Sequence, residues 1–255
     1  MKAVILAGGL GTRLSQETDT KPKPMVEVGE YPILWHILKT YSHYGINDFV
    51  ICCGYKGYLI KEYFLNYYKR TFDLTVNFRN NIVEIHNSYF EPWNITFAET
   101  GASTMTGGRI QKIKKYVEDE EMFCLTYGDG LINSNISDTI EFHKSHGKMV
   151  TMTTAFPPGR FGVVKINEDQ VTSFQEKPDN TGDMVNAGYF VVSPKAIDLI
   201  ENDQTTWENE PLNALTKMGE LKAYKHTGFW QPMDTLPDKN LLNRLWETSA
   251  PWKVW

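Results

Sequence analysis

The 255-residue sequence has few cysteines, no long apolar run and no excess of positive charge. Its three cysteines, Cys52, Cys53 and Cys124, lie in apolar segments and form no C-x-x-C pair, which favours buried thiols over zinc ligands or disulfides. No segment approaches the roughly eighteen apolar residues of a membrane span. The N-terminus also lacks the basic region and small-residue cleavage site of a signal peptide. We therefore expect a cytoplasmic protein that has no membrane partner.

The charge balance excludes a further class of partner. The formal net charge is −5, whereas proteins that bind long nucleic acids usually carry a broad basic surface. We therefore expect no nucleic-acid partner. The six histidines have no spacing typical of metal ligands. No low-complexity linker or internal repeat interrupts the chain, so we expect a single domain over residues 1–255.

Strand-like apolar runs alternate with amphipathic helical segments in the first half of the chain. The pattern predicts a strand at Lys2–Ala7, a helix over Pro32–Tyr44 and a strand over Asp48–Cys53. Two further helices are predicted over Tyr58–Arg70 and Thr106–Val117. The second half is richer in strands, predicted at Met149–Phe156, Gly162–Asn167, Val171–Glu176 and Ala187–Ser193. The alternation predicts an α/β fold, with a doubly wound, mostly parallel sheet and a small β-rich portion.

A glycine-rich loop follows the first predicted strand. It reads Gly8-Gly9-Leu10-Gly11-Thr12-Arg13, and Lys23 lies ten residues beyond it between two prolines. Glycines leave backbone N–H groups open to phosphate oxygens, and arginine adds a permanent, forked cation. The loop lacks the Gly-Lys-Ser/Thr of a P-loop, and Leu14 stands where a dinucleotide-binding motif has its third glycine. A bare glycine turn would not explain the arginine and the spaced lysine, so the segment predicts another kind of phosphate-binding loop.

Asp129, flanked by two glycines at the end of a predicted strand, is a candidate ligand for a metal ion. Such an aspartate is often a simple turn residue, but beside a phosphate loop it favours Mg²⁺, which binds one or two carboxylates plus phosphate oxygens. Because ligands bind beyond the carboxyl ends of parallel strands, we expect Asp129 and the glycine loop on one rim of the sheet. Asp234 is the candidate partner carboxylate. It precedes a predicted helix and could equally be its N-cap, with Asp238 in the first turn.

Polar residues in the second half form a candidate second phosphate site. Glu176 and Lys177 end a predicted strand, where Lys177 could bind a single phosphate and Glu176 could accept hydrogen bonds from sugar hydroxyls. A charged turn before Pro178 is the alternative. The segments Asn186–Gly188 and Phe161-Gly162 combine small residues that expose the backbone with polar neighbours in the same way.

These motifs, in this order, resemble those of the sugar-1-phosphate nucleotidylyltransferases over nearly the whole chain. The motifs that carry the resemblance are Gly8–Arg13, Lys23, Gly128-Asp129, Glu176-Lys177, Asn186–Gly188 and Asp234. The segments Thr104–Ile110 and Phe156–Gly162 are most similar to the subgroup that makes CDP-glucose. Leu14-Ser15-Gln16 departs from the Leu-x-Pro of commoner relatives, which argues against a thymidylyl- or uridylyltransferase.

The resemblance implies a Rossmann-like nucleotidyltransferase fold, CTP and glucose 1-phosphate as substrates, and Mg²⁺ as cofactor. Residues 1–130 would mainly bind the nucleotide, and residues 131–255 would mainly bind the sugar phosphate and form the C-terminal helices. Arg13, Lys23 and Asp129 are the implied catalytic residues, and Asp129 and Asp234 the implied metal ligands. The implied nucleotide-binding residues are Leu6, Ala7, Gly8, Gly9, Leu10, Gly11, Thr12, Arg13, Lys23, Thr104, Arg109 and Gly128. The implied sugar-phosphate-binding residues are Gly162, Glu176, Lys177, Asn186 and Gly188.

Several alternatives stay open at this point. UTP or dTTP could replace CTP, although Arg109 is a candidate donor to the ring nitrogen of cytosine. A non-catalytic regulatory subunit could share the fold, but Arg13, Lys23 and Asp129 together favour an enzyme. The resemblance also implies a homo-oligomer, plausibly a hexamer. Trp246, Trp252 and Trp255 could lie at its interfaces or pack onto their own chain.

Overall fold

The computed structural model describes residues 1–86, 90–158, 163–167, 170–175 and 183–255. The strands in these residues are β1 (Lys2–Leu6), β2 (Glu27–Val28), β3 (Tyr31–Pro32), β4 (Asp48–Cys53), β5 (Asp73–Asn77), β6 (Ile82–His86), β7 (Asn94–Glu99), β8 (Phe123–Tyr127), β9 (Gly130–Ile132), β10 (Val150–Ala155), β11 (Val163–Asn167), β12 (Gln170–Gln175), β13 (Val185–Val192), β14 (Leu221–His226) and β15 (Trp230–Pro232). The α-helices are α1 (Ser15–Thr18), α2 (Ile33–His43), α3 (Gly57–Leu65), α4 (Tyr67–Thr71), α5 (Thr106–Lys112), α6 (Lys114–Val117), α7 (Ile136–His146), α8 (Glu210–Met218) and α9 (Leu236–Thr248). Short 3₁₀ helices cover Thr12–Leu14, Lys23–Met25 and Pro194–Leu199.

A seven-stranded sheet organises the chain, with the strand order β14-β10-β13-β8-β1-β4-β7. The pairs β8–β1, β1–β4, β4–β7 and β10–β14 are parallel. β13 runs antiparallel to both of its neighbours, β8 and β10. This mostly parallel sheet with flanking helices confirms the predicted α/β architecture.

Each face of the sheet carries its own hydrophobic core. Successive residues of a strand point to opposite faces, so β1 contributes to both cores. Ile5 belongs to the core that contains Leu34 and Leu38 of α2. Val4 belongs to the other core, with Ile110 of α5. Because both faces of β1 are buried in a core, its residues form a continuous apolar run and do not alternate with polar ones.

The order of the strands determines where a ligand can bind. β1 lies between β4 and β8, and its last residue, Leu6, pairs with the last residue of β8, Tyr127. The chain continues from β1 towards β4 on one side and from β8 towards β13 on the other. The β1–β8 boundary is therefore the switch point at which open α/β sheets bind ligands. The glycine loop and Asp129 leave the sheet at this rim, as predicted.

Two predicted helices are interrupted in the structure. The helix predicted over Tyr58–Arg70 is divided into α3 and α4 at Asn66, whose φ of −105° and ψ of 9° lie outside the helical range. Its side-chain amide donates to the carbonyl of Glu62, a local bond by which asparagine competes with the helix. The helix predicted over Thr106–Val117 is divided in the same way at Ile113.

The C-terminal tryptophans pack onto their own chain. Trp252 is fully buried, stacks on Trp246, and donates a hydrogen bond to Nδ1 of His36 over 3.3 Å. Trp255 lies against Trp35 and His36. Burial lowers the pKa of His36 to about 4, so the ring is neutral at pH 7 and serves as a packing residue. These contacts favour the second of the two interpretations of the tryptophans.

The second half contains the predicted β-rich elements. β11 and β12 form an antiparallel hairpin at the predicted positions. The predicted site residues Gly162, Glu176 and Lys177 lie outside the described residues. None of the helices in the described part of the chain combines the length and apolar content needed to cross a lipid bilayer.

Candidate active site

Two adjoining clefts open at the rim of the sheet, beyond the ends of β1 and β8. The larger has a volume of about 510 Å³ and the smaller about 210 Å³. Arg13, Tyr127 and Asp129 line both clefts and mark their junction. The larger cleft is lined by Leu6, Ala7, Gly8, Gly9, Leu10, Gly11, Thr12, Arg13, Lys23, Thr104, Arg109 and Gly128, which are the residues predicted to bind a nucleotide. The smaller cleft includes Asn186, Gly188 and Asp234.

The glycine loop takes the form that its sequence demands. Gly11 has a φ of +67°, a backbone conformation that other residues adopt only at a cost. The hydroxyl of Thr18 donates to its carbonyl over 3.1 Å and holds the turn. In the next short helix, buried Leu14 anchors the loop to the core while Arg13 stays exposed at the cleft junction. The loop thereby presents its arginine to both clefts.

A compact cluster of charges lies at this junction. Lys23 Nζ is 2.7 Å from Asp129 Oδ2 and 2.7 Å from Asp234 Oδ1. Arg13 Nη1 donates to Asp234 Oδ2 over 2.8 Å. Burial by itself would lower the pKa of Lys23, but the charges and hydrogen bonds of Asp129 and Asp234 outweigh it and raise that pKa. Lys23 is therefore held as a cation, and residues from three distant segments meet at one point.

The two-stranded antiparallel sheet of β9 and β15 brings Asp234 to this cluster. Gly130 pairs with Pro232, and the Met233 N–H donates to the Asp129 carbonyl over 2.8 Å. Asp234 follows directly. The N-cap of α9 is Thr235, whose side chain accepts from the Asp238 N–H while the Asp238 carboxylate accepts from the Thr235 N–H. The interpretation of Asp234 as a helix cap is wrong because the next residue takes that position.

Asp129 and Asp234 suit a metal ion that is shared with substrate. Among the described residues, no three histidine, cysteine or acidic side chains lie close enough together to hold a metal ion by themselves. Mg²⁺ needs only one or two carboxylates when phosphate oxygens complete its coordination. One oxygen from each carboxylate already contacts a single ammonium nitrogen, so the two share a small volume that accommodates positive charge. The pair fits the expected two-carboxylate site.

Arg109 lines the larger cleft but is bound to the protein backbone. Its guanidinium donates to the carbonyls of Gly8 (2.9 Å) and Gly101 (2.7 Å) and to the hydroxyl of Thr100 (2.6 Å). A Cβ at Gly8 would lie 2.1 Å from Arg109 Nη1, so glycine is required there to admit the guanidinium. Arg109 thus joins the loop after β1 to the loop after β7. These contacts favour a role for Arg109 in supporting the wall of the cleft over its predicted role as a hydrogen-bond donor to cytosine.

Removal of Arg109 is expected to weaken nucleotide binding. In Arg109→Ala the Gly8 carbonyl keeps only the bond from the Tyr55 N–H, and the Gly101 carbonyl and the Thr100 hydroxyl also lose the guanidinium. Each hydrogen bond to a charged group contributes about 1.5–3 kcal/mol. We expect the Kd for CTP, measured by calorimetry, to rise by about tenfold or more, equivalent to about 1.4 kcal/mol. The control is Lys114→Ala, which removes an exposed cation paired with Asp198. Unchanged CTP affinity in folded Arg109→Ala would contradict this role.

Two residues that line the clefts, Tyr127 and Glu208, are absent from the predicted set. Tyr127 lines both clefts and could have been found, because it directly precedes Gly128-Asp129 at a strand end. Glu208 lines the larger cleft from the loop before α8 and belongs to no recognisable motif. The Tyr127 hydroxyl donates to Glu208 Oε1. In the smaller cleft, Asn186 Oδ1 accepts from the Gly188 N–H over 2.8 Å.

Comparison with known proteins agrees with this geometry. Residues 2–232 match the family model of the nucleotidyl transferases. The chain is 60% identical to the glucose-1-phosphate cytidylyltransferase of Salmonella typhimurium and 45% identical to a probable glucose-1-phosphate cytidylyltransferase of Bacillus subtilis, with 100% of both chains covered in each case. Among solved structures, HddC from Yersinia pseudotuberculosis shares the fold, with a TM-score of 0.69 and 24% identity over 96% of this chain and 99% of that one. The chain belongs to the nucleotidyl transferase family.

Proposed function

We propose that this enzyme transfers the cytidylyl group of CTP to α-D-glucose 1-phosphate and releases pyrophosphate and CDP-glucose. Identity of 60% over the full length of a relative named for this activity supports the assignment. The structural observation that carries it is the charge cluster of Lys23, Asp129 and Asp234 at the junction of two clefts. We assign CTP to the larger cleft and glucose 1-phosphate to the smaller, so that the reacting groups meet at this cluster.

The reaction requires positioning and charge neutralisation rather than proton transfer. An oxygen of the sugar phosphate attacks the α-phosphorus of CTP, a new P–O bond forms, and the bond to pyrophosphate breaks. The nucleophile is already anionic, so no general base is needed. Preorganised cations therefore supply most of the stabilisation of the transition state. We assign Lys23 to the α-phosphoryl oxygens and Arg13 to the leaving pyrophosphate.

Asp129 and Asp234 are the residues that would hold Mg²⁺. The ion, when bound, supplies positive charge to the phosphate oxygens. Lys23 lies in contact with both carboxylates, within the same small volume, and its raised pKa keeps it charged for the phosphate. We retain Gly162, Glu176 and Lys177, together with Asn186 and Gly188, as predicted sugar-phosphate-binding residues. The single-domain organisation, the division at residue 130 and the cytoplasmic location also stay predictions.

The enzyme is expected to prefer CTP over UTP and dTTP by at least about tenfold. Cytosine presents an amino donor and a ring-nitrogen acceptor, and a buried polar group left unpaired costs about 1–3 kcal/mol. Pyrophosphate release from CTP, UTP, dTTP and ATP in the presence of glucose 1-phosphate measures the preference. Equal or faster release with UTP or dTTP would refute the cytidylyl assignment and leave the family unchanged. Absence of release with every nucleotide would support the non-catalytic alternative.

We also propose that the chain forms a homo-oligomer, with a hexamer as the expected state. The hairpin of β5 and β6 pairs Leu74 with Ile85 and Val76 with Val83, and Leu74, Val76 and Val83 are exposed on its one apolar face. Phe78 beyond it is 91% exposed. A two-stranded hairpin is marginally stable in water, and a second copy of the chain would cover this face.

Light scattering tests the assembly. The native chain is expected to be larger than a monomer, and the double variant Val76→Thr and Phe78→Ser is expected to shift it towards the monomer with its helical circular dichroism unchanged. A monomeric native protein would contradict the proposal.

A further inference from the structure

A chain of hydrogen bonds connects the two clefts. Asn186 Nδ2 donates to the Tyr127 hydroxyl over 3.4 Å, and that hydroxyl donates to Glu208 Oε1. Thr106 Oγ1 donates to Glu208 Oε2 over 2.6 Å. Asn186 lines the smaller cleft, Thr106 and Glu208 line the larger, and Tyr127 lines both. None of these three hydrogen bonds involves the charge cluster of Lys23, Asp129 and Asp234.

The fold holds both ends of this series of hydrogen bonds, Asn186 and Thr106, in place. Gly188, with a φ of +79°, packs so closely on Tyr127 that a Cβ there would lie 2.5 Å from the ring. Its N–H also donates to Asn186 Oδ1 over 2.8 Å. At the other end, the backbone N–H of fully buried Trp207 donates to Thr106 Oγ1 over 2.9 Å. Tyr127 therefore has a fixed ring, and Glu208 has a fixed partner on each oxygen.

A carboxylate in a cleft that binds phosphates needs a specific explanation. Glu208 would repel an anionic ligand, but each of its oxygens accepts a bond from a neutral hydroxyl, those of Tyr127 and Thr106. Burial and the neighbouring Glu208 raise the pKa of Tyr127 well above its usual value, so the phenol stays protonated and remains a donor. Both carboxylate oxygens are thus occupied by hydroxyl donors, and one of them orients the Tyr127 hydroxyl.

We propose that Tyr127 and Glu208 are positioning residues for the sugar phosphate. Glu208 fixes the Tyr127 hydroxyl, and Tyr127 fixes the Asn186 amide that faces the smaller cleft. This inference rests on the proposed assignment of glucose 1-phosphate to that cleft. In-line attack depends on the alignment of nucleophile and phosphorus, so loss of such a support should weaken productive binding of the sugar phosphate.

The test is Tyr127→Phe, which keeps the ring that walls the larger cleft and removes only the hydroxyl. We expect the KM for glucose 1-phosphate to rise about tenfold, the effect of about 1.4 kcal/mol, while the KM for CTP changes by less than about twofold. Glu208→Ala should give the same pattern. The double variant should be no worse than either single variant, because both remove one support.

The matched control is Tyr67→Phe. This variant also removes a buried hydroxyl, one that accepts from Trp35 Nε1 over 2.9 Å, but Tyr67 lines neither cleft. Both KM values should stay unchanged. Wild-type turnover with each nucleotide tests the proposed function first, so the variants are compared with the nucleotide that the wild type uses. An unchanged KM for glucose 1-phosphate in Tyr127→Phe, or equal increases in both KM values, would overturn the proposal, as would strict additivity in the double variant.

Discussion

Lys23→Ala is expected to lower kcat by a factor of about 100 or more, as the loss of a preorganised charge donor does in other active sites. Lys23 is the cation at the centre of the junction, 2.7 Å from an oxygen of each carboxylate, and its side chain is only 10% exposed. Turnover at saturating CTP and glucose 1-phosphate measures the effect, and circular dichroism checks the fold.

Lys21 provides the control for this prediction. It lies two residues away and pairs over 2.7 Å with Glu27, whose side chain is half exposed. Exposed ion pairs contribute little, so Lys21→Ala is expected to change kcat by less than about twofold. A near-normal rate in folded Lys23→Ala would remove Lys23 from the catalytic residues.

Asp129→Asn and Asp234→Asn are each expected to lower kcat and raise the Mg²⁺ concentration needed for half-maximal rate. Loss of either carboxylate disables one shared site, so the double variant should be little worse than the single ones. The interaction energy between the two changes should be about 0.5–3 kcal/mol, the range for residues that share a partner. A Mg²⁺ titration of all three variants measures both effects. Full activity in EDTA, or additive effects, would contradict a shared ion.

Thr235→Ala separates the metal site from the structure of the adjacent helix. Thr235 caps α9 with Asp238, so its removal should cost about 1 kcal/mol of the free energy of unfolding. Its side chain does not contact Lys23, and the Mg²⁺ requirement should stay that of the wild type. A change in the Mg²⁺ requirement of this variant would mean that the Asp234 phenotype arises through the helix terminus.

The glycine loop and its rim were predictable from the sequence because their signals are local. The apolar run of β1, the glycines and Arg13 lie within twelve consecutive residues and report directly on a strand and a tight turn. Their position beside Asp129 follows from a general property of parallel strands, whose carboxyl ends share one edge. Gly8 is predicted from the sequence as a residue that exposes its backbone N–H to phosphate, but the structure shows a different need for glycine at this position. Its lack of a side chain admits the Arg109 guanidinium, a contact that spans about a hundred residues.

The α/β class, the glycine loop and the residue types of the charge cluster could be read from the sequence alone, because each depends on composition and near neighbours along the chain. The pairing of distant side chains, by contrast, depends on the three-dimensional packing of the elements. The pairing of β9 with β15 places Asp234, just before α9, next to Lys23. The loop before α8 places Glu208 next to Tyr127. The buried contacts of Trp252 likewise depend on the packing of α9 and the tail around His36. The physical reason is that the residues next to a carboxylate or an indole in sequence do not indicate its partner. That partner depends on how elements far apart in sequence pack together.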